Sequence, residues 1–197
     1  KHKKDHRVSR AIFRTIRRFS FVTVSIILIC AGVACKYVYD YALEYVNGDK
    51  VIDLEIYRAN QAQTSIIYGY DSNRELVELL RLHGAENRVW VEYDEIPQAM
   101  VDAFVDLEDK RFYEHQGVDW YGTAFGVAKS GFERGASTIT QQLIKNVTEE
   151  NGRTVSRKFY EILNALNLEK HYNKKTIMEY YLNTIYLGNG CYGIKTA

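Results

Sequence analysis

One unbroken apolar run and three amphipathic stretches organise this chain. The run, Phe19 to Cys35, is almost uncharged over 17 residues, at the short end of what crosses a bilayer as a helix, and Lys36 follows where the far headgroups would lie. Tyr37, Tyr39 and Tyr41 extend it as an aromatic belt. Met100, Val101, Phe104 and Val105 recur at spacings of three and four after Pro97, with Asp94 and Glu95 just ahead, which predicts a helix starting near the proline. Val155, Phe159, Ile162, Leu163 and Leu166 predict a second helix. Ile177, Tyr181 and Ile185 predict a third, capped by Asn173 and ended by Gly188. Between anchor and helices the pattern is shorter. Thr64 to Tyr68 reads as a strand, Gly69 to Asn73 as a turn, Glu75 to Leu80 as a second strand or a short helix, and Val89 to Val91 as a further extended piece. The reading is a mainly α domain with a small extended flap or jaw, preceded by one transmembrane helix.

Composition changes this picture in one respect. At 197 residues and 46% hydrophobic, the chain has room for one anchor and one modest domain with its own core, not two full domains. The net charge of +1 hides an asymmetry. Lys1, Lys3, Lys4, Arg7, Arg10, Arg14, Arg17 and Arg18 precede the apolar run against the single acid Asp5, so the positive-inside rule puts the amino terminus in the cytoplasm and the rest outside the membrane. A basic tail lying against a membrane helix suits anionic headgroups, and no basic structured module follows it, so nucleic acid is not an expected partner. A cleaved signal peptide would have a shorter apolar stretch and a small-residue cleavage site. The expected segments are a basic tail (1–18), a transmembrane helix (19–36), a connector (37–63) that reads as helix or linker broken at Asn47-Gly48-Asp49, and a domain (64–197). Cys30, Cys35 and Cys191 suggest no disulfide framework.

The polar residues point to chemistry. Glu108 falls on the stripe of Val101 and Phe104, so the pattern predicts a partly desolvated carboxylate with a pKa raised above the free value of about 4.3, suited to accept or donate a proton near neutral pH. Gly135 to Asn146 carries seven polar side chains in twelve residues, a composition unlike core filling. In it Gln141 and Lys145, like Gln142 and Asn146, are four apart and share one helical surface; a solvent-facing helix is the plain alternative. Lys145, Arg153, Arg157 and Lys158 form a cationic group able to neutralise phosphate charge. Glu161 stands four residues after Arg157 and three after Lys158, which by spacing alone is an exposed intrahelical ion pair of a few tenths of a kcal/mol. His115 and His83 lack a metal-ligand spacing.

Five blocks stand in order: Glu108-Asp109-Lys110-Arg111-Phe112-Tyr113-Glu114-His115-Gln116-Gly117; Gly135 to Asn146; Arg157-Lys158-Phe159-Tyr160-Glu161; Lys174-Lys175-Thr176-Ile177-Met178-Glu179-Tyr180-Tyr181-Leu182-Asn183; and Ile185-Tyr186-Leu187-Gly188 through Ile194. Together they make residues 64–197 resemble the family 51 glycosyltransferases, the peptidoglycan polymerases found alone or as the first catalytic domain of class A penicillin-binding proteins. The resemblance implies a lysozyme-like glycosyltransferase fold and polymerisation of lipid II into β-1,4-linked glycan, with inversion and release of undecaprenyl pyrophosphate. It implies Glu108 as the general base, Glu161 as a second carboxylate that orients the pyrophosphate-binding cations or a divalent ion, and substrate contacts from Ser137, Thr138, Gln141, Gln142, Lys145, Asn146, Arg153, Arg157 and Lys158. His115 and Asp109 would shape the site, and Glu179 would tie helices together. A divalent cation, Mg2+ or Mn2+, is admitted but not required. Implied partners are lipid II, the growing glycan chain, the membrane, and proteins of cell-wall synthesis, division and elongation; moenomycin-like phosphoglycolipids would bind the donor site. The match stops inside the fifth block, so a domain truncated at its carboxyl end is expected. No S-x-x-K motif occurs, so β-lactam binding is not. Two other readings are a lysozyme-like lytic enzyme, whose neutral glycan needs no phosphate-binding cations, and a non-catalytic scaffold or incomplete fragment, although the matched acids and bases are present.

Overall fold

The computed structural model describes residues 2–49, 51–61, 64–82, 87–122, 137–148, 152 and 154–197, with the backbone alone for 2–16. Gly135, His83 and Arg153 therefore lie outside the described residues. The chain forms two compact units, residues 1–45 and 46–197.

The first unit is carried by α1, His2–Asn47. Its portion from Arg17 to Asn47 is long and apolar enough to cross a membrane. Phe19, Phe21, Leu28, Ile29 and Val33 are each two-thirds or more exposed, a surface that suits lipid and not water. The helix also satisfies its own polar groups: Thr23 Oγ1 donates to the Phe19 carbonyl and Ser25 Oγ to that of Phe21, each at 2.9 Å. Residues 37–47 continue this helix without a break, so the first half of the expected connector is helical, and the interruption at Asn47-Gly48-Asp49 stands where the sequence put it.

In the second unit α2, Leu54–Asn60, starts at Asp53, whose side chain accepts from the Ile56 N–H. A hairpin follows. β1, Ser65–Tyr70, pairs antiparallel with β2, Leu76–Leu82, from Ser65 opposite Leu82 to Tyr70 opposite Leu76. Asp71 Oδ1 accepts from the N–H groups of both Asn73 and Glu75, which closes the turn. The segment after the turn is thus a strand and not a short helix. A second sheet has the order β3 (Asn87–Arg88), β5 (Cys191–Tyr192), β4 (Tyr186–Gly188), with β3 parallel and β4 antiparallel to β5.

The described residues of this unit also form the helices α3, Gln98–Glu108; α4, Ile139–Thr148; α5, Val155–His171; and α6, Lys174–Thr184. Pro97 stands at the N-cap of α3, and a short 3-10 turn at Tyr93–Glu95 precedes it. Thr154 and Asn173 cap α5 and α6 through their side chains, each accepting from the N–H three residues on. The sequence carried α6 too far: it ends at Thr184, and the stretch up to Gly188 pairs as β4. α4 packs on both α5 and α6. Ile139, Leu143, Leu168, Ile177, Met178, Leu182 and Phe112 are fully buried there. This core fixes the two ends of the site, the carboxyl end of α3 and the start of α5. The domain is mainly α with a small extended jaw.

Candidate active site

Glu108 is the last residue of α3, and Asp109, its C-cap, leaves the helix toward the interior. The buried stripe of α3 ends at Val101 and Val105, one turn short of Glu108, whose side chain is exposed. The desolvation expected from the sequence is therefore absent, because the helix terminates before its apolar face reaches the acid. What Glu108 does have is a fixed donor: Gln142 Nε2 on α4 donates to its Oε2 at 2.9 Å.

Asp109 is buried and works inward. His115 Nε2 stands 3.0 Å from both carboxylate oxygens, and Asp109 Oδ2 accepts from the Ile139 N–H at 3.0 Å, capping the start of α4. One residue earlier, Thr138 Oγ1 donates to the Gly117 carbonyl at 2.6 Å. Gly117 has φ +85, and a Cβ there would meet the Ala165 carbonyl oxygen at 2.5 Å. The first two blocks are thus clamped to each other and to α5. The far side of α4 is braced by Glu169, which accepts from Thr140 Oγ1 and from Lys174 Nζ. Burial pushes the Lys174 ammonium pKa down while Glu169 pulls it up.

The second carboxylate sits differently from its spacing-based reading. Glu161 is 5% exposed. Its Oε2 takes a hydrogen bond from Arg157 at 2.7 Å and its Oε1 one from Lys158. A pair expected on a solvated face is in fact buried, because α5 puts Glu161 on the same buried face as Ala165 and Leu168 and leaves Val155 86% exposed. Two cations around one carboxylate leave this cluster with a net positive charge. Lys145 is exposed and, with Arg157, Tyr160, Glu161 and Asn164, lines a cleft of about 70 Å³.

Ser137 joins the two acids. Lys158 Nζ donates to its Oγ at 2.8 Å, and its carbonyl accepts from Gln142 Nε2 at 3.5 Å. A continuous line therefore runs Glu108, Gln142, Ser137, Lys158, Glu161. Thr138 and Gln141 do not belong on it as surface contacts. They are 3% and 0% exposed, and Gln141 Oε1 accepts from the Thr138 N–H; the polar surface of α4 is narrower than i, i+4 spacing suggested, since Gln141 faces the core. Asn146 is half-buried beside the exposed Lys145.

Glu161 is the acid the resemblance offered to a divalent ion. Both its oxygens are occupied by side-chain cations, and among the described residues no group of three or more His, Cys, Asp or Glu is placed to hold a metal. The described residues thus offer Mg2+ or Mn2+ no all-protein cage.

Two residues that sequence reasoning left without a role support the site. Asn183 is fully buried: Nδ2 donates to the carbonyls of Val91 and Glu179, both at 2.8 Å, and Oδ1 accepts from the Val91 N–H at 2.9 Å. Tyr181, read only as core, donates its hydroxyl to Gln142 Oε1 at 3.2 Å. An Asn and a Tyr within an apolar helical stripe were the available signal, because each buried polar group needs a partner. Glu179, expected to tie helices together, instead ties α6 to the segment ahead of α3, accepting from Trp90 Nε1 and the Tyr93 N–H; burial raises its pKa.

This mainly helical domain sets an exposed acid at one end of a hydrogen-bonded line and a cationic cleft at the other, joined through one serine. The chain belongs to the transglycosylase family, whose sequence model matches residues 73–197. It is similar to penicillin-binding protein 4 of Bacillus subtilis (strain 168), 42% identical over 154 residues, which is 76% of this chain and 24% of that protein. Penicillin-binding protein 1F of the same organism is 45% identical over 116 residues, 57% of this chain and 16% of the relative. Penicillin-binding protein 1A of Escherichia coli (strain K12) is 44% identical over 124 residues, 61% and 15% respectively. The chain thus spans a quarter or less of the length of these relatives.

Proposed function

We propose that this protein is a membrane-anchored peptidoglycan glycosyltransferase that polymerises lipid II into β-1,4-linked glycan strands. The observation that carries the reading is the line from Glu108 through Gln142 and Ser137 to the Arg157–Glu161–Lys158 cluster, which sets a solvent-open carboxylate at one end and preorganised cations at the other. Glu108 accepts the proton of the acceptor sugar's 4-hydroxyl as its oxygen bonds to the donor's anomeric carbon. The bond from that carbon to the phosphate oxygen breaks, and its electron pair leaves with the undecaprenyl pyrophosphate. A single in-line displacement inverts the anomeric centre. Lys145, Arg157 and Lys158 meet the charge growing on the pyrophosphate, and Glu161 keeps the last two in place before the reaction, so little reorganisation is needed. Ser137 and Asn146 remain as the sugar and phosphate contacts on the accessible side of α4.

The helix from Arg17 to Asn47 supports the same reading, since a lipid-linked donor is met at the bilayer surface. In this proposal it crosses once, with the basic tail cytoplasmic and the domain outside, in a bacterial cell membrane and alongside the proteins of cell-wall synthesis, division and elongation. The test is polymerisation of labelled lipid II by the intact chain in detergent, resolved on a gel. Wild type yields a ladder and Glu108→Gln lowers its rate by about 100-fold or more, the range of a lost general base. No polymer from wild type overturns the function; an undiminished ladder from the variant removes Glu108 as base.

A further inference from the structure

We propose that Tyr181 is a positioning residue for Glu108, acting through the side-chain amide of Gln142. The inference rests on the reading of Glu108 as the base and adds to it a reason for the base to be aimed.

The half-buried Gln142 amide has three polar neighbours. On one side lie Glu108 Oε2 at 2.9 Å and the Ser137 carbonyl at 3.5 Å, both facing Nε2. A carbonyl only accepts, and so does an ionised carboxylate, so this side calls for the NH2 end of the amide. On the other side the Tyr181 hydroxyl donates to Oε1 at 3.2 Å. Rotating the amide by half a turn would set its oxygen against the Ser137 carbonyl. The hydroxyl completes the arrangement by giving Oε1 a donor, and Gln142 is thereby fixed as a donor to Glu108.

Tyr181 is well suited to hold that position. It is 2% exposed and lies on α6, with Phe104 of α3 packed edge-to-face against it at 6.0 Å between ring centres. The acids that bear on it are Glu108 and Asp109, at the end of α3; Asp109 in turn faces His115 and Lys174. Burial first, then these two carboxylates, push the phenol pKa far up, so the hydroxyl keeps its proton at any working pH. The relay from Tyr181 therefore keeps the Gln142 NH2 on Glu108 Oε2 and holds that oxygen toward the acceptor.

Tyr181→Phe removes the hydroxyl and keeps the ring. In the lipid II assay of the intact chain, kcat falls by about tenfold with KM little changed, as expected when one hydrogen bond in the relay to a charged acceptor is lost, and the 15N-1H resonances of the Gln142 side-chain amide move from their wild-type positions. A variant as active as wild type overturns the proposal. So does a variant with reduced activity and unmoved Gln142 amide resonances, because loss of packing alone would lower activity without releasing that amide. Failure of the functional reading is a separate result, the absence of polymer from wild type. In that event the relay is read without activity, by the same Gln142 resonances in detergent, compared between wild type and Tyr181→Phe. Identical resonances overturn it.

Discussion

Asn183→Asp changes one NH2 group into an oxygen and should be among the most damaging isosteric substitutions in this domain. In wild type, Nδ2 donates to two backbone carbonyls at 2.8 Å, and the residue is fully buried. An aspartate there cannot be ionised without setting a negative oxygen against both carbonyls in a dry site, so it folds only in its neutral form, whose single O–H serves one carbonyl. The lost bond costs about 1 kcal/mol at any pH. The rest depends on pH, and the sign is fixed. The carboxyl titrates near 3.9 when unfolded and well above that when folded, so the penalty is smallest below the unfolded value and grows as pH rises through it toward the folded one. Each unit by which the folded value stands above the unfolded one adds about 1.4 kcal/mol to the cost at about pH 7.5, a cost absent below the unfolded value. A domain stable by about 5–15 kcal/mol would feel this strongly. Chemical denaturation of Asn183→Asp and wild type at that pH and below the unfolded value measures the difference, with Asn183→Ala as a control whose penalty does not titrate. If the Asp variant's penalty is the same at the two pH values, the buried amide is not placed between two carbonyls as argued.

Two further substitutions probe the neighbouring contacts. Gly117→Ala places a Cβ 2.5 Å from the Ala165 carbonyl oxygen at a φ of +85; the left-handed backbone costs about 1–2 kcal/mol and the overlap with helix backbone adds to it. The expected fall in melting temperature is about 6–12 °C for a loss of some 3 kcal/mol, and a melt within about 2 °C of wild type would refute the close approach. Glu161→Gln withdraws the carboxylate shared by Arg157 and Lys158. Because those two side chains are each 20% exposed and can turn to water, the stability cost should be about 2 kcal/mol, below the range for a fully buried pair, while lipid II polymerisation drops by about 100-fold. Wild-type polymerisation by this variant would remove Glu161 from the role of holding the cations.

How far the sequence could be read depended on whether a residue's environment is set locally or by its neighbours in space. The cap at Asn173, the turn at Asp71 and the membrane-length helix follow from local chemistry, and each lies near where residue type and spacing put it. The rotation of α5 does not. Its apolar residues allow more than one stripe, and only the packing of α4 against it decides that Glu161 is buried and Val155 exposed. The same dependence reversed the expectation at Glu108: periodicity places a residue on a face, but the face matters only while there is a partner for it, and α3 runs out of partner after Val105. Gln141 and Gln142 show how finely this divides adjacent residues. One is sealed against Thr138, and the other reaches Glu108, Ser137 and Tyr181 from three different segments of the chain. A site assembled from such long-range contacts is visible in one sequence only through its residue types, and its acids exchange environments when the helices are placed. The residue supposed to be desolvated is open to solvent, and the one supposed to be on the surface is buried against Arg157 and Lys158.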